Sequence, residues 1–168
     1  MSYVEILVLR HLSARPAHGY ELRKRVEQTA GVTLHNNSLY PALKRFEEAG
    51  AVTRTSEPSE NGRPPRQVYT LTPVGRELLH DMLADLPPDA ARDDTEFLAR
   101  LGQFSLLSAP EQLAVLGARR SALDDALHHF EEMRSLAAGD PWAEAVTAEL
   151  VRRAETELAW IDGLRDMV

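Results

Sequence analysis

"HNNSLYPALKRFEEAG", residues His35 to Gly50, has Leu39, Leu43 and Phe46 at helical spacing and a proline, Pro41, in its middle. Inside a helix, proline removes one backbone hydrogen bond and crowds the preceding turn. The stretch therefore reads as a helix whose first turn contains Pro41 or ends at it, because amides there have no intrahelical partner. Asn36, Asn37 and Ser38 all suit an N-cap, and with Asn37 or Ser38 in that role the proline costs little. Free amides and the positive end of the helix dipole then point outward, which suits a phosphate. Gly50 serves as the C-terminal cap. Two faces result: Leu39, Leu43 and Phe46 inward, and Ser38, Tyr40, Pro41, Lys44 and Arg45 outward.

The flanks extend the pattern. Tyr3 to Ala14 has Val4, Leu7, Val8 and Leu12 at helical spacing and ends at "ARPAHG". A second helix is expected from about Gly19 to Ala30, with Tyr20, Leu22 and Val26 apolar, Arg23, Lys24 and Arg25 adjacent, and Gly31 as its stop. Downstream, "AVTRTSE" and "RQVYTLT" are β-branched and aromatic, and the turn formers "PSENGRPP" separate them with Asn61-Gly62 at the centre, which predicts a hairpin. Thr72-Pro73 is an N-cap followed by proline at the first helical position, opening a fourth helix through Leu78, Leu79, Met82 and Leu83. Helix, helix, helix, hairpin, helix is the order of a winged helix-turn-helix, whose third helix enters the major groove of DNA.

The second half is helical. "DLPPDAARDDTE", Asp85 to Glu96, reads as a junction, giving a DNA-binding domain over 1–85, a linker over 86–95 and a helical domain over 96–168. A short helix is expected from Glu96 to Leu107. A long one follows Pro110 with Leu113, Leu116, Leu123, Leu127 and Phe130 on one face. Another follows the Asp140-Pro141 cap, with Val146, Leu150, Ala154, Leu158, Ile161 and Leu164 as its stripe. Two antiparallel helices bury no wide apolar face alone, so the missing wall is expected to be a second copy of the chain, against the alternative of helices folded back on the first half. The expected fold is mainly α with a small β-hairpin: an N-terminal winged helix-turn-helix and a C-terminal antiparallel helical dimerisation domain.

Composition narrows the partners. The chain has 168 residues, no cysteine and a net charge of -7. That charge is uneven: up to Asp85 there are 11 Lys/Arg against 10 Asp/Glu, and beyond it 8 against 16. A phosphate-binding patch is a local property, so the acidic total does not exclude DNA. Thiolate and disulfide chemistry are excluded. The opening residues "MSYVEILVLRHLS" lack both a basic leader and a charge-free apolar run, and no stretch approaches a membrane span, so a cytoplasmic protein without a membrane partner is expected.

On the third helix, Ser38 and Tyr40 suit phosphates or base edges, Lys44 suits a phosphate, and Arg45 a phosphate or a guanine edge. The competing reading pairs Lys44 and Arg45 with Glu47 and Glu48 on a solvated face. Basic residues recur at Arg23, Lys24 and Arg25 and at Arg63 and Arg66, in elements that this fold gathers on one surface, and this favours DNA.

"ILVLRHLSARPAHGYELRKRV", "NNSLYPALKRFEEAGAVTR" and "RPPRQVYTLTPVGRELL" together closely resemble the DNA-binding domain of the PadR family of transcriptional regulators, over about Ile6 to Leu79. The resemblance implies a dimeric winged helix-turn-helix repressor on a palindromic double-stranded operator, released by a small molecule, with helical C-terminal dimerisation. It assigns DNA contacts to Asn37, Ser38, Tyr40, Pro41, Lys44 and Arg45 and to Tyr20 beside His18 and Gly19. Lys24, Arg63 and Arg66 join them, while Tyr69 at the wing base reads as a packing residue. Glu57 and Glu60 before the wing's arginines weigh against its deep insertion in the minor groove. For an effector, Trp160, Phe104 and Trp142 are the aromatic candidates, each with core packing as the alternative.

Six histidines invite an enzyme or metal reading. The adjacent pair His128-His129 points about 100° apart on a helix, unlike ligands three or four residues apart, and no phosphate loop or nucleophile elbow is present. No catalytic residue, metal or cofactor is expected. A winged-helix adaptor that docks an acidic protein is the alternative to a DNA-binding regulator.

Overall fold

The computed structural model describes residues 3–30, 36–58 and 66–168, and for residues 36–38 the backbone alone. It divides into two compact units, Met1–Leu83 and Ala84–Val168.

In the first unit, α1 (Tyr3–Ala14) buries Val4, Ile6, Leu7, Val8, Leu9 and Leu12, so it is covered on more faces than one stripe requires. Strand β1 (Ala17–His18) leads into α2 (Gly19–Ala30), then α3 (Asn36–Glu48), β2 (Val52–Glu57), β3 (Arg66–Leu71) and α4 (Pro73–Ala84). Leu39, Leu43 and Phe46 of α3 are buried, as their spacing requires. The helix ends in a Schellman arrangement: Gly50 has φ +71°, its amide donates to the Glu47 carbonyl at 3.0 Å, and the Ala51 amide donates to the Phe46 carbonyl at 2.8 Å. Thr72 caps α4, its Oγ1 accepting from the Gly75 amide at 3.0 Å. The same hydroxyl lies 2.7 Å from the Gly50 carbonyl, to which it donates.

Two expectations for this unit are corrected. Pro41 is the sixth residue of α3, beyond the first turn, because the helix already runs through Asn36 and Asn37. Pro41 is exposed, and its missing amide withdraws one hydrogen bond near the helix start, so the helix continues through it. The sheet has three strands, ordered β1-β3-β2, where a two-stranded hairpin was expected. Ala17 pairs with Tyr69 and His18 with Val68. Two residues between proline and glycine carry no alternation, so β1 gives no pattern to read. The Asn61-Gly62 turn lies outside the described residues.

In the second unit, the stretch expected as a linker contains α5 (Pro88–Ala91), with Ala91 buried. Helix α6 (Asp94–Leu101) is capped by Asp93, which accepts from the Thr95 and Glu96 amides at 2.8 and 3.0 Å. The helix expected from Glu96 to Leu107 is therefore α6 followed by a separate 3-10 turn over Phe104–Leu106. The antiparallel pair is α7 (Ala109–Leu136) and α8 (Pro141–Arg165), the latter capped by Asp140 as expected. Its seam differs from the expected stripes. Val115, Leu116, Arg119, Ala122 and Leu123 of α7, with Thr147, Val151, Ala154 and Ile161 of α8, are buried, whereas Leu113 and Val146 are exposed. The α8 positions repeat at intervals of four and three, the spacing of a coiled-coil seam; Ala154 and Ile161 belong to the expected stripe, whereas Thr147 and Val151 do not.

The Thr72 cap is the joint most easily tested. Thr72→Ala is expected to lower stability by about 1–2 kcal/mol, read by urea denaturation, while Thr72→Ser retains most of it.

Candidate nucleic-acid interface

The outer face of α3 meets the start of α2 through a glycine. A Cβ placed on Gly19 lies 3.1 Å from Cε1 and 3.3 Å from the hydroxyl oxygen of Tyr40, and 3.5 Å from Cε2 of Tyr69. Only hydrogen fits there without displacing the Tyr40 ring, so the two rings close over the beginning of α2. Tyr40 is packed on one side and open on the other, 45% exposed overall.

This packing leaves a cleft of about 640 Å³ lined by His18, Gly19, Tyr20, Tyr40, Arg66 and Tyr69. Three residues predicted from separate motifs, Tyr20 on α2, Tyr40 on α3 and Arg66 on β3, thus share one concavity. Tyr40 and Tyr69 also border a second cleft, with Lys44, Glu47, Glu48 and Arg54. The aromatic faces and the adjoining cations give a surface that suits the sugar-phosphate edge of a nucleic acid.

The cations fall into two groups. Arg45 is drawn to Glu5, a buried carboxylate on α1, and Arg25 pairs with Glu21. Arg23 lies 3.7 Å from Glu27, with its guanidinium 5.6 Å from the Tyr20 ring centre. These three are held within the unit. Lys24 and Arg66 are exposed, and Lys44, 76% exposed, meets Glu48 at 3.7 Å. An exposed lysine pair of this kind contributes at most about 1 kcal/mol and yields readily to a phosphate. The solvated-pair reading therefore describes Lys44, while Arg45 reaches a different helix. Pro41 is exposed beside Tyr40. The side chains of Asn37 and Ser38, and all of Arg63, lie outside the described residues.

Arg54 was not singled out by its sequence. It stands opposite Tyr69 in the β2–β3 register, its Nε lies 3.3 Å from Glu47, and its positive charge acts on the Tyr69 hydroxyl. Burial pushes the Tyr69 phenol up, against the opposing pull of Arg54, so the hydroxyl stays protonated at neutral pH. Tyr69 is buried, in keeping with the packing role read from the sequence. Strand pairing alone brings Arg54 here, and no local motif announces it.

The aromatic effector candidates do not form one site within the chain. Trp142 and Trp160 are eighteen residues apart on α8, which places them about 27 Å apart along its axis. Trp160 packs edge-to-face on Phe97, centroids 6.2 Å apart. Trp142, 83% exposed, borders an apolar surface with Met133, Leu136 and Val146, and Phe104 is half-buried in the 3-10 turn. Among the described residues, no three His, Asp or Glu gather as a metal site, and no helix is long and apolar enough to cross a membrane.

The Transcriptional regulator PadR-like family matches residues 8–81. A 37.1 kDa protein of transposon Tn4556 from Streptomyces fradiae is 43% identical over 75 residues, 45% of this chain and 20% of that protein. The negative transcriptional regulator PadR of Bacillus subtilis is 22% identical, over 100% of this chain and 98% of its own. The structure of Bacillus subtilis PadR with operator DNA covers 100% of this chain and 99% of its own at 20% identity and a TM-score of 0.47. The segment that builds the cleft, residues 8–81, is a domain of the PadR-like family of transcriptional regulators.

Proposed function

We propose that the protein is a homodimeric, DNA-binding transcriptional repressor that leaves a palindromic operator when a small molecule binds. The observation that carries this reading is the convergence of Tyr20, Tyr40 and Arg66 on one cleft, with Lys44 exposed on the same helix as Tyr40. On this reading α3 enters the major groove and the wing strand lies along the flanking backbone. Lys24, Lys44 and Arg66 meet phosphates, Tyr40 reads the groove or its edge, and Arg45 holds α3 to α1 through Glu5. The exposed Leu113, Leu136, Trp142 and Val146 of α7 and α8 support a second copy as the wall of the helical unit. Two recognition helices then face half-sites one helical turn apart, and an effector acts by favouring a dimer geometry that does not match that spacing. The curated Bacillus subtilis relative, a negative regulator, supports repression as the outcome.

Titration onto the protein's own upstream DNA at several salt concentrations tests the proposal. A log-log slope near -0.9 per neutralised phosphate and a preference over scrambled DNA are expected, and a flat slope with no preference contradicts it. Lys44→Ala is expected to reduce the slope by about 1. Tyr40→Ala is expected to lower operator affinity with little loss of stability. Phe46→Ala is expected to lower both, with a stability loss of about 3 kcal/mol in urea denaturation. Unfolding of Tyr40→Ala contradicts the assignment of faces on α3.

A further inference from the structure

Tyr40 and Tyr69 border two clefts, and only the one that contains Arg66 carries the function proposed above. The other, of about 380 Å³, is lined by two cations, Lys44 and Arg54, and two carboxylates, Glu47 and Glu48, together with the two tyrosines. Each cation there has its own carboxylate. Lys44 meets Glu48 at 3.7 Å, one turn further along α3, whereas Arg54 meets Glu47 at 3.3 Å and so joins β2 to α3. Strand register brings Arg54 to this place, because it stands opposite Tyr69 on β3.

The Arg54–Glu47 pair is open to exchange. Both side chains reach solvent, 47% and 36% exposed, and the 3.3 Å contact is longer than the roughly 2.7–2.9 Å of a tight charge-assisted hydrogen bond. An exposed pair of this kind is held weakly. Glu47, however, cannot leave the surface. It follows Phe46, whose buried side chain fixes this turn of α3, so its charge remains beside whatever anion Arg54 takes instead.

We propose that Arg54 is a phosphate-binding residue of the nucleic-acid interface, and that Glu47 occupies in the free protein the place that a backbone phosphate takes in the complex. That role rests on the DNA-binding reading of this face. A phosphate has the charge of the carboxylate and accepts two parallel N–H···O bonds from the planar guanidinium. With Lys44, Arg54 extends the backbone contact from the first cleft to the second, across Tyr40. Glu47 acts as an internal competitor: it must give up Arg54 before DNA can bind, and it then opposes the phosphate that replaces it. Because phosphate contacts carry no sequence information, both effects fall equally on operator and unrelated DNA.

A double-mutant cycle on the full-length protein tests this, with its upstream DNA and a scrambled duplex of equal length titrated at several salt concentrations. Arg54→Gln is expected to reduce the log-log slope by about 1 and to weaken both duplexes by the same factor, at least about fivefold at low salt, with an unchanged thermal melt. Arg54→Lys, which keeps the charge, is expected to keep the slope. Glu47→Gln is expected to strengthen both duplexes at least about threefold, and to lose that effect in the Arg54→Gln background. An unchanged slope in Arg54→Gln, an equal loss of slope in Arg54→Lys, no gain in Glu47→Gln, or a gain that persists without Arg54 overturns the proposal. If Arg54→Gln lowers the melt, the Arg54→Lys and Glu47→Gln arms decide it. Any of these outcomes with salt-dependent wild-type binding intact removes the role of Arg54 alone, whereas a wild-type protein that binds neither duplex overturns the DNA-binding reading with it.

Discussion

The carbonyl of Ala51 is the point on which the first unit turns. It accepts from the Thr72 amide at 3.0 Å and lies 3.1 Å from the Thr72 hydroxyl, and α4 passes so near that a Cβ on Gly75 would stand 2.1 Å from it. Immediately before it, the left-handed Gly50 and the Ala51 amide close α3. The end of α3, the start of β2, the end of β3 and the start of α4 therefore meet within a few residues. Because these contacts are backbone hydrogen bonds and hard steric limits, they set the direction of α3 against the wing more tightly than apolar packing would. The placement of Tyr40 beside Gly19 and Tyr69, and so the cleft, follows from that direction.

The second unit depends on a charge instead. Removing a guanidinium from water costs several kcal/mol unless its donors are met, and Arg119 draws on α5, α6 and α8 to meet them. A buried arginine with several required partners specifies one arrangement of these helices more narrowly than a leucine would. One of its partners, Asp94, is mostly in water.

Much of this was legible in the sequence, for local reasons. Leu39, Leu43 and Phe46 announce the inward face of α3 by period alone, and Gly50 and Thr72-Pro73 mark helix ends because few residue types suit those backbone positions. Where the determinants are tertiary, local patterns failed. Arg45 lies on the outer side of the helical pattern, yet its partner Glu5 is forty residues earlier in the chain. Arg119 and Arg54 occupy ordinary polar positions in their own elements and acquire meaning only from α8 and β3. The seam on α8 keeps Ala154 and Ile161 from the expected stripe but turns toward Thr147 and Val151 at its start, and a threonine is not a residue that hydrophobicity singles out. Pro41 misplaced the start of α3 because a proline near a helix end was read as a boundary, although an exposed helix tolerates it one turn further in.

The central claim is that DNA rests on the surface formed by the start of α2, the exposed side of α3 and the β3 edge of the wing. The most direct measurement is the change in backbone amide resonances of the labelled protein as its upstream DNA is added. The account predicts that the largest changes cluster at His18 to Tyr20, Tyr40, Lys44, Arg66 and Gln67. Changes confined to α7 and α8, or absent from α3 at saturating DNA, contradict it.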